Sequence, residues 1–491
     1  MLLKKNATVL ALATFAISCQ SIGSNEKEDN NDNTKPLNVL FIASDDLRYQ
    51  ANAFGQENMI TPGLDRLASE GVTFNRAYCN VPVCGASRAS LLSGARPTQN
   101  RFLNYYTRKD TDFPDHPSLP MWFKQHDYKT VSLGKIYHHG DDDLQAWSTQ
   151  PWDHQQETGV GWQSYITEEA QQIIDANRTD EKPNQVIGPA WEAADVPDNG
   201  YPDGLLAERA IEQLKNFSQS GESFFLGVGF TKPHLPFNAP KKYWDLYKEE
   251  DLQLADNPFK PVDAPDAAMH NWGELRNMYH DIPDEGPVSE ETEKKLVHGY
   301  YACVSYTDAQ IMRLLNALKE YGLEENTVVI FWGDHGFHLG EHGLWAKHCN
   351  FNRVLSAPII VKAPNIKENQ TTNTLVEFVD IYPSVVELAG LPLPDHLDGK
   401  SFVPTLKDTS VKHKDAVFSR YINGESVKTD QYLYTEWVNQ DGHIYARMLY
   451  DHENDPKENM NVSENSDYKS IVQEHHLLLQ ELREKQNEEK F

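Results

Sequence analysis

Four short apolar runs at wide spacing limit what this chain can fold into. Residues 38–43, 129–133, 224–230 and 327–332 are each five to seven residues long and strand-like, and all but 129–133, where Thr130 and Ser132 interleave with Val131 and Leu133, are nearly continuous apolar runs. Such runs suit strands covered on both faces, as in a parallel sheet. Helix-like or long loop-like sequence separates them, which predicts an α/β sheet with helices on its faces. Residues 62–69 and 205–217 carry helical periodicity, and Asp203 stands where it would cap the second helix.

Two stretches, 141–202 and 250–295, are polar, rich in Pro, Asp and Trp, and too long for plain connections. They are expected to be substrate-facing insertions. Trp147, Trp152, Trp162 and Trp191 suit stacking on sugar faces, but packing is the commoner role for any one tryptophan, and none is given a role individually. After residue 391 the chain turns to Pro, Asp and Gly. Strand-like pieces follow at 431–437 and 444–450, then a charged helix from Tyr468 to the end. This divides the body into a main domain, 37–409, and a small α+β domain, 410–491.

At the N-terminus, Lys4 and Lys5 precede an apolar run that ends in Ala16-Ile17-Ser18-Cys19. The pattern resembles a bacterial lipoprotein signal over residues 1–19, with Cys19 the residue to be lipidated. Residues 20–36, rich in Asn, Asp and Glu, read as a disordered tether. The expected location is outside the cytoplasm, at the cell envelope, with the membrane touched only through the lipid. No later stretch approaches the roughly 18 apolar residues of a membrane span. Four cysteines remain beyond Cys19, too few for a disulfide framework in a body of this length.

The net charge is −28, from 45 Lys and Arg against 73 Asp and Glu, which excludes a surface built to bind nucleic acid. An anionic substrate would instead need a local basic pocket, because the overall field repels it. The strand ends supply one. In open α/β sheets, ligands collect beyond the carboxyl ends of the strands. Here the first run leads into Asp45-Asp46, the second into Lys135 and His138, the third into Lys232 and His234, and the fourth through Gly333 into Asp334-His335, with Lys347 further on. An isolated Asp pair is more often a solvated turn. The recurrence of metal-ligating and titratable residues at four strand ends is what gives them weight. Carboxylates favour a hard divalent cation, with Ca²⁺ or Mg²⁺ the natural choices and His335 an unusual ligand for either.

The remaining element is Cys84-Gly85-Ala86-Ser87-Arg88, leading into Leu92 and Gly94. At a helix start, backbone N–H groups would lower a thiol pKa. The pentapeptide resembles the sulfatase signature, whose cysteine becomes Cα-formylglycine. The resemblance extends to residues 61–68, to 378–383, and to Leu449-Tyr450-Asp451 with Asp455-Pro456, so it covers about 37–462. Within the family, Gly134-Lys135-Ile136-Tyr137-His138, Lys232-Pro233-His234 and Trp345-Ala346-Lys347 look most like iduronate-2-sulfatases and their bacterial polysaccharide-degrading relatives.

The resemblance implies an alkaline-phosphatase-like fold, with a mixed, largely parallel sheet between helices and an antiparallel sheet in the C-terminal part. It also implies that Asp45, Asp46, Asp334, His335 and the modified Cys84 hold Ca²⁺. One hydroxyl of the formylglycine hydrate would attack sulfur and the other would then expel sulfate. His138 would accept a proton, Arg88 and Lys135 would hold the diol, His234 would protonate the leaving oxygen, and Lys347 with Lys232 would bind the sulfate oxygens. The implied partners are a sulfated carbohydrate, with 2-sulfated uronic acid or another sulfated sugar as the substrate unit, and a formylglycine-installing enzyme; Mg²⁺ is the second choice of cation after Ca²⁺. Ala86, where Pro is common, associates with the radical type of that enzyme. Asn352 and Arg353 depart from the family pattern and receive no role. Two other readings stay open: a phosphonate or phosphodiester hydrolase on the same fold, and a glycan-binding surface lipoprotein whose Cys84 stays a thiol.

Overall fold

A computed structural model describes residues 36–178, 186–276, 278–280 and 282–488. Cys19, the signal segment and all but the last residue of the tether lie outside the described residues. From Pro36 onward the chain forms one compact unit.

Every residue of β1 (Asn38–Ser44) is buried. Its side chains part to opposite faces: Leu40 and Ile42 enter one core, and Val39, Phe41 and Ala43 enter the other. The main sheet joins β1 to β2 (Val72–Phe74), β3 (Lys129–Gly134), β4 (Phe224–Phe230), β5 (Thr327–Gly333), β6 (Ile359–Lys362) and β7 (Gln370–Thr372). The order is β7-β2-β6-β5-β1-β4-β3. Only β6 pairs antiparallel, with β5 and β2; the other pairs are parallel. The four apolar runs are the adjacent strands β5, β1, β4 and β3. Their register places Ser44 beside both Gly333 and Phe230, and Gly134 beside Gly229, so all four end at one level.

The flanking helices are α1 (Pro62–Ser69), α2 (Cys84–Ser93), α3 (Pro202–Ser220), the single turn α4 (Gly273–Arg276), α5 (Glu290–Glu320) and α6 (Ile381–Leu388). Helix α3 starts earlier than its periodicity indicated. Tyr201 is its N-cap and Pro202 occupies the first turn, where a fixed φ and a missing N–H cost nothing. Asp203 is therefore not a cap. It is buried, and its carboxylate accepts the backbone N–H groups of Thr231 (3.0 Å) and Lys232 (2.8 Å), tying the helix start to the loop after β4.

Strands β8 (Val417–Tyr421), β9 (Gly424–Lys428), β10 (Tyr432–Val438) and β11 (Ile444–Asp451) form an antiparallel meander. Helix α7 (Lys469–Glu488) covers it through Val472 and Leu479, packed with Val427, Tyr434 and Leu449. The meander is fastened to the main sheet's layer: Asn80 Nδ2 donates to Phe418 O (2.9 Å), and Asp380 accepts from Lys414 Nζ (2.6 Å) and His413 Nε2 (3.0 Å). Cys79, Cys84, Cys303 and Cys349 are all buried and unbridged. No helix among the described residues is long and apolar enough to cross a membrane.

Candidate active site

The level strand ends bring the charged residues that follow them into one place. After β1, Asp45 and Asp46 are fully buried, and Asp46 sits at φ 62°, a left-handed conformation that turns the chain so that successive carboxylates face the same cluster. The Asp46 N–H donates to Asp334 Oδ1 (2.9 Å), joining the ends of β1 and β5. From behind, the Tyr300 hydroxyl on α5 donates to Asp46 O (2.8 Å).

Helix α2 points its first residue, Cys84, at this cluster. Gly85 lets the helix start approach the loop beneath it, since a Cβ there would lie 2.7 Å from Tyr105 O. Ser87 Oγ donates to Asp334 O (2.6 Å). One turn on, the buried Arg88 guanidinium donates to Asp334 Oδ2 (3.0 Å), Asp45 Oδ1 (3.3 Å) and Ile136 O (3.3 Å). Lys135 Nζ pairs with Asp45 Oδ2. Lys347 Nζ reaches Asp46 Oδ1 (2.7 Å) and Oδ2 (2.9 Å), and its neighbours Ala346 and His348 both have left-handed φ, 70° and 73°. Such strain is tolerated where the surroundings over-determine a position.

The electrostatics follow from burial and these pairings. Burial pushes the Asp45 carboxyl up, but Lys135, then His234 and Arg88, hold it well below the usual range. Burial works against the Lys347 ammonium, yet Asp46 and its other anionic neighbours keep it firmly charged. Burial, with Lys135 beside it, holds the His138 imidazole down to about 2, so the ring is neutral; its buried Nδ1 has no hydrogen-bond partner among the described residues. Cys84 departs from the expectation of a lowered thiol pKa. Burial and the adjacent Asp45 push it well up, outweighing the helix start, so an unmodified thiol here stays protonated.

One ligand atom each from Asp45, Cys84, Asp334 and His335 lies within 4.8 Å of the others; Asp46 and His234 join Asp45 and Cys84 in a second such group. His335 Nδ1 faces Gly336 O (3.0 Å) and so carries the proton, which leaves the Nε2 lone pair toward Cys84 Sγ (3.3 Å), Asp46 Oδ1 (3.5 Å) and Asp334 Oδ1 (3.6 Å). Buried carboxylates and one oriented imidazole fit a divalent cation.

Lys232 is set apart from the others. Its ammonium is buried and donates to His234 O (3.1 Å) and Pro236 O (2.6 Å), bracing the loop that carries His234, and it still feels the charges of Asp45 and Asp46. Glu274, on α4, was not visible as a site residue. Its Oε1 lies 2.7 Å from Lys347 Nζ and 3.0 Å from His234 Nε2, bridging two elements far apart in the chain. The only signal was its place in the 250–295 insertion. The other insertion reaches the same histidine: the Trp162 ring meets His234 edge-on, centroids 5.3 Å apart.

Comparison with known proteins agrees with this constellation. The Sulfatase family model matches residues 37–391, and the model for the C-terminal part of N-sulphoglucosamine sulphohydrolase matches 340–485. Iduronate 2-sulfatase of Mus musculus is 29% identical over 94% of this chain and 96% of its own length; that of Homo sapiens is 31% identical over 78% and 74%. A sulfatase of Formosa agariphila is 31% identical over 96% and 90%. Among solved structures, a protein complexed with its substrate D-glucosamine-2-N,6-O-disulfate superposes with TM-score 0.72 at 20% identity, covering 92% of this chain and 98% of that one. A phosphonate monoester hydrolase of Agrobacterium radiobacter superposes with TM-score 0.70 at 22% identity, covering 92% and 96%. At those identities the two superpositions speak for the fold alone. The family match over most of the length, with a signature cysteine buried against a cation-ready cluster, makes this chain a member of the sulfatase family and a sulfuric ester hydrolase.

Proposed function

We propose that this enzyme removes sulfate esters from a sulfated polysaccharide or its oligosaccharides, with 2-sulfated uronic acid the favoured class, using Cys84 as formylglycine and Ca²⁺ held by Asp45, Asp46, Asp334 and His335. The observation that carries the reading is the position of Cys84: buried at a helix start, between that ligand set and the cations Arg88, Lys135 and Lys347. As a protonated thiol it is a poor nucleophile there, so the reading assigns the chemistry to the modified side chain. The substrate class rests on the iduronate 2-sulfatase relatives. Export and lipid anchoring at Cys19 rest on the N-terminal pattern.

When bound and formed, the cation and the formylglycine hydrate supply a positive charge and an activated hydroxyl nucleophile. The chain's own groups supply the rest. Arg88 orients Asp334 and Asp45 through two charge-assisted bonds, and Lys135 neutralises Asp45. The neutral His138 ring accepts a proton at nitrogen. Lys347 stabilises negative charge on sulfate oxygens. His234 Nδ1 faces Leu235 O and Nε2 lies 3.0 Å from Glu274 Oε1, contacts that fix the ring's orientation for its role as the acid toward the leaving sugar oxygen.

The test is the mass of the peptide containing residue 84 from protein made in its native host, beside turnover of matched sulfate and phosphate esters by wild type and Cys84→Ala. The expected result is an aldehyde or its hydrate, a preference for sulfate, and complete loss of turnover in a folded variant. An unmodified thiol, or near wild-type turnover by Cys84→Ala, refutes the proposal.

A further inference from the structure

Beside the catalytic cluster lies a groove of about 680 Å³ that none of the groups described above occupies. One wall is the loop around residues 99–105. The other is made by two turns of the C-terminal meander, Ile422-Asn423 between β8 and β9 and Asn439-Gln440 between β10 and β11. Its inner end touches the catalytic residues through three neighbours. Val83 directly precedes Cys84; the Tyr105 ring lies 6.3 Å from that of His138; and His348, next to Lys347, lies 5.9 Å from the Tyr421 ring.

The lining has the chemistry of a carbohydrate site. Side-chain amides dominate it, at Gln99, Asn100, Asn104, Asn423, Asn439 and Gln440, each offering both donors and acceptors to hydroxyl groups. Tyr105 and Tyr421 add ring faces for the C–H surface of a pyranose. No carboxylate is among the lining residues, although the chain carries 73 acidic residues, and the one formally charged side chain, Arg420, is a cation whose charge is paired with Glu425 behind the lining. An anionic sugar meets no unpaired like charge from the lining residues. Ile422 at the tip of the two-residue hairpin is 56% exposed and has φ 50°, a conformation costly for a β-branched residue.

We infer that this groove is a subsite for the sugar residue next to the sulfated one, so that the enzyme recognises an acidic disaccharide or longer chain and not an isolated sulfated monosaccharide. The inference rests on the sulfated-glycan reading above. It assigns substrate length to the C-terminal meander and leaves the chemistry to the strand ends.

The experiment compares kcat/KM for a 2-O-sulfated hexuronic acid methyl glycoside, the disaccharide and tetrasaccharide containing it, and 4-nitrophenyl sulfate. The enzymes are matured wild type, the triple variant Ile422→Ala, Asn423→Ala, Gln440→Ala, and the blocking variant Gln440→Trp. All three positions are exposed, so the fold tolerates the changes. Wild type is expected to favour the disaccharide over the monosaccharide at least tenfold. Both variants should lose most of that preference through a raised KM, while aryl sulfate kinetics stay within twofold. Equal rates on monosaccharide and oligosaccharide by wild type, or an equal loss on every substrate in the variants, would overturn the subsite. Hydrolysis of the aryl sulfate with no member of the sugar series turned over would instead mark failure of the substrate reading itself, and the subsite would fall with it.

Discussion

Replacing Glu274 by Gln tests whether a residue outside the family signature positions the catalytic groups. The substitution keeps the shape and removes one negative charge, 3.0 Å from His234 Nε2 and 2.7 Å from Lys347 Nζ. Hydrogen bonds to charged partners contribute about 1.5–3 kcal/mol, and neutral ones about 0.5–1.5. Losing the charge at both contacts therefore costs about 2–3 kcal/mol, and at 1.36 kcal/mol per decade kcat should fall roughly 30- to 150-fold. KM should not rise, because an anionic substrate loses a repulsive neighbour. The assay is kcat for a series of aryl sulfates of increasing leaving-group pKa, alongside a sulfated sugar. If Glu274 keeps a proton on His234, the loss should grow as the leaving group becomes more basic, since good leaving groups need no acid. A kcat within threefold of wild type on the sugar, or a loss independent of the leaving group, would refute the reasoning.

Asp334→Asn should lower both bound metal and turnover by more than tenfold, since Asp334 presents one oxygen to the cluster and the other to Arg88; unchanged metal in elemental analysis removes it from the ligand set. Asp380→Asn should destabilise the fold by about 3 kcal/mol, because it leaves the mostly buried His413 without its anion and Lys414 with only the more distant Glu377 (3.6 Å). The difference should depend on pH. Burial pushes Asp380 up, but Lys414 and His413 hold it below its ordinary value, so its contribution is complete above about pH 4, the unfolded carboxyl range, and is lost as pH falls through the lower folded value. Urea midpoints of the two proteins should converge only in acid, and parallel curves down to pH 2 would contradict this. Cys19→Ser should release the protein from the membrane fraction in its native host, and unchanged partitioning removes the lipid anchor.

Much of the fold was legible because a strand covered on both faces must be a continuous apolar run, and β1, β4 and β5 are such runs. Strands β2 and β6 escaped notice because three or four residues carry no readable pattern. The start of α3 was misplaced because Asp203 has the chemistry of a cap but spends its carboxylate on Thr231 and Lys232 across the sheet end. In the site, Asp45, Asp46, Lys135, Asp334 and His335 were legible because they directly follow a buried strand, where chain connectivity delivers them to the crevice, whereas Glu274 comes from an insertion with no such signal.

From the chain itself came the sheet's core, the residue types at its strand ends and the signature cysteine, because each is encoded in contiguous residues. The three-dimensional arrangement decided the neighbours of those groups. Lys232 turns to its own loop's carbonyls, Cys84 loses the thiolate character that a helix start promises, and Glu274 arrives from an insertion to join His234 and Lys347. Burial and charge proximity act through space, and the neighbours that set them lie tens to hundreds of residues away along the chain.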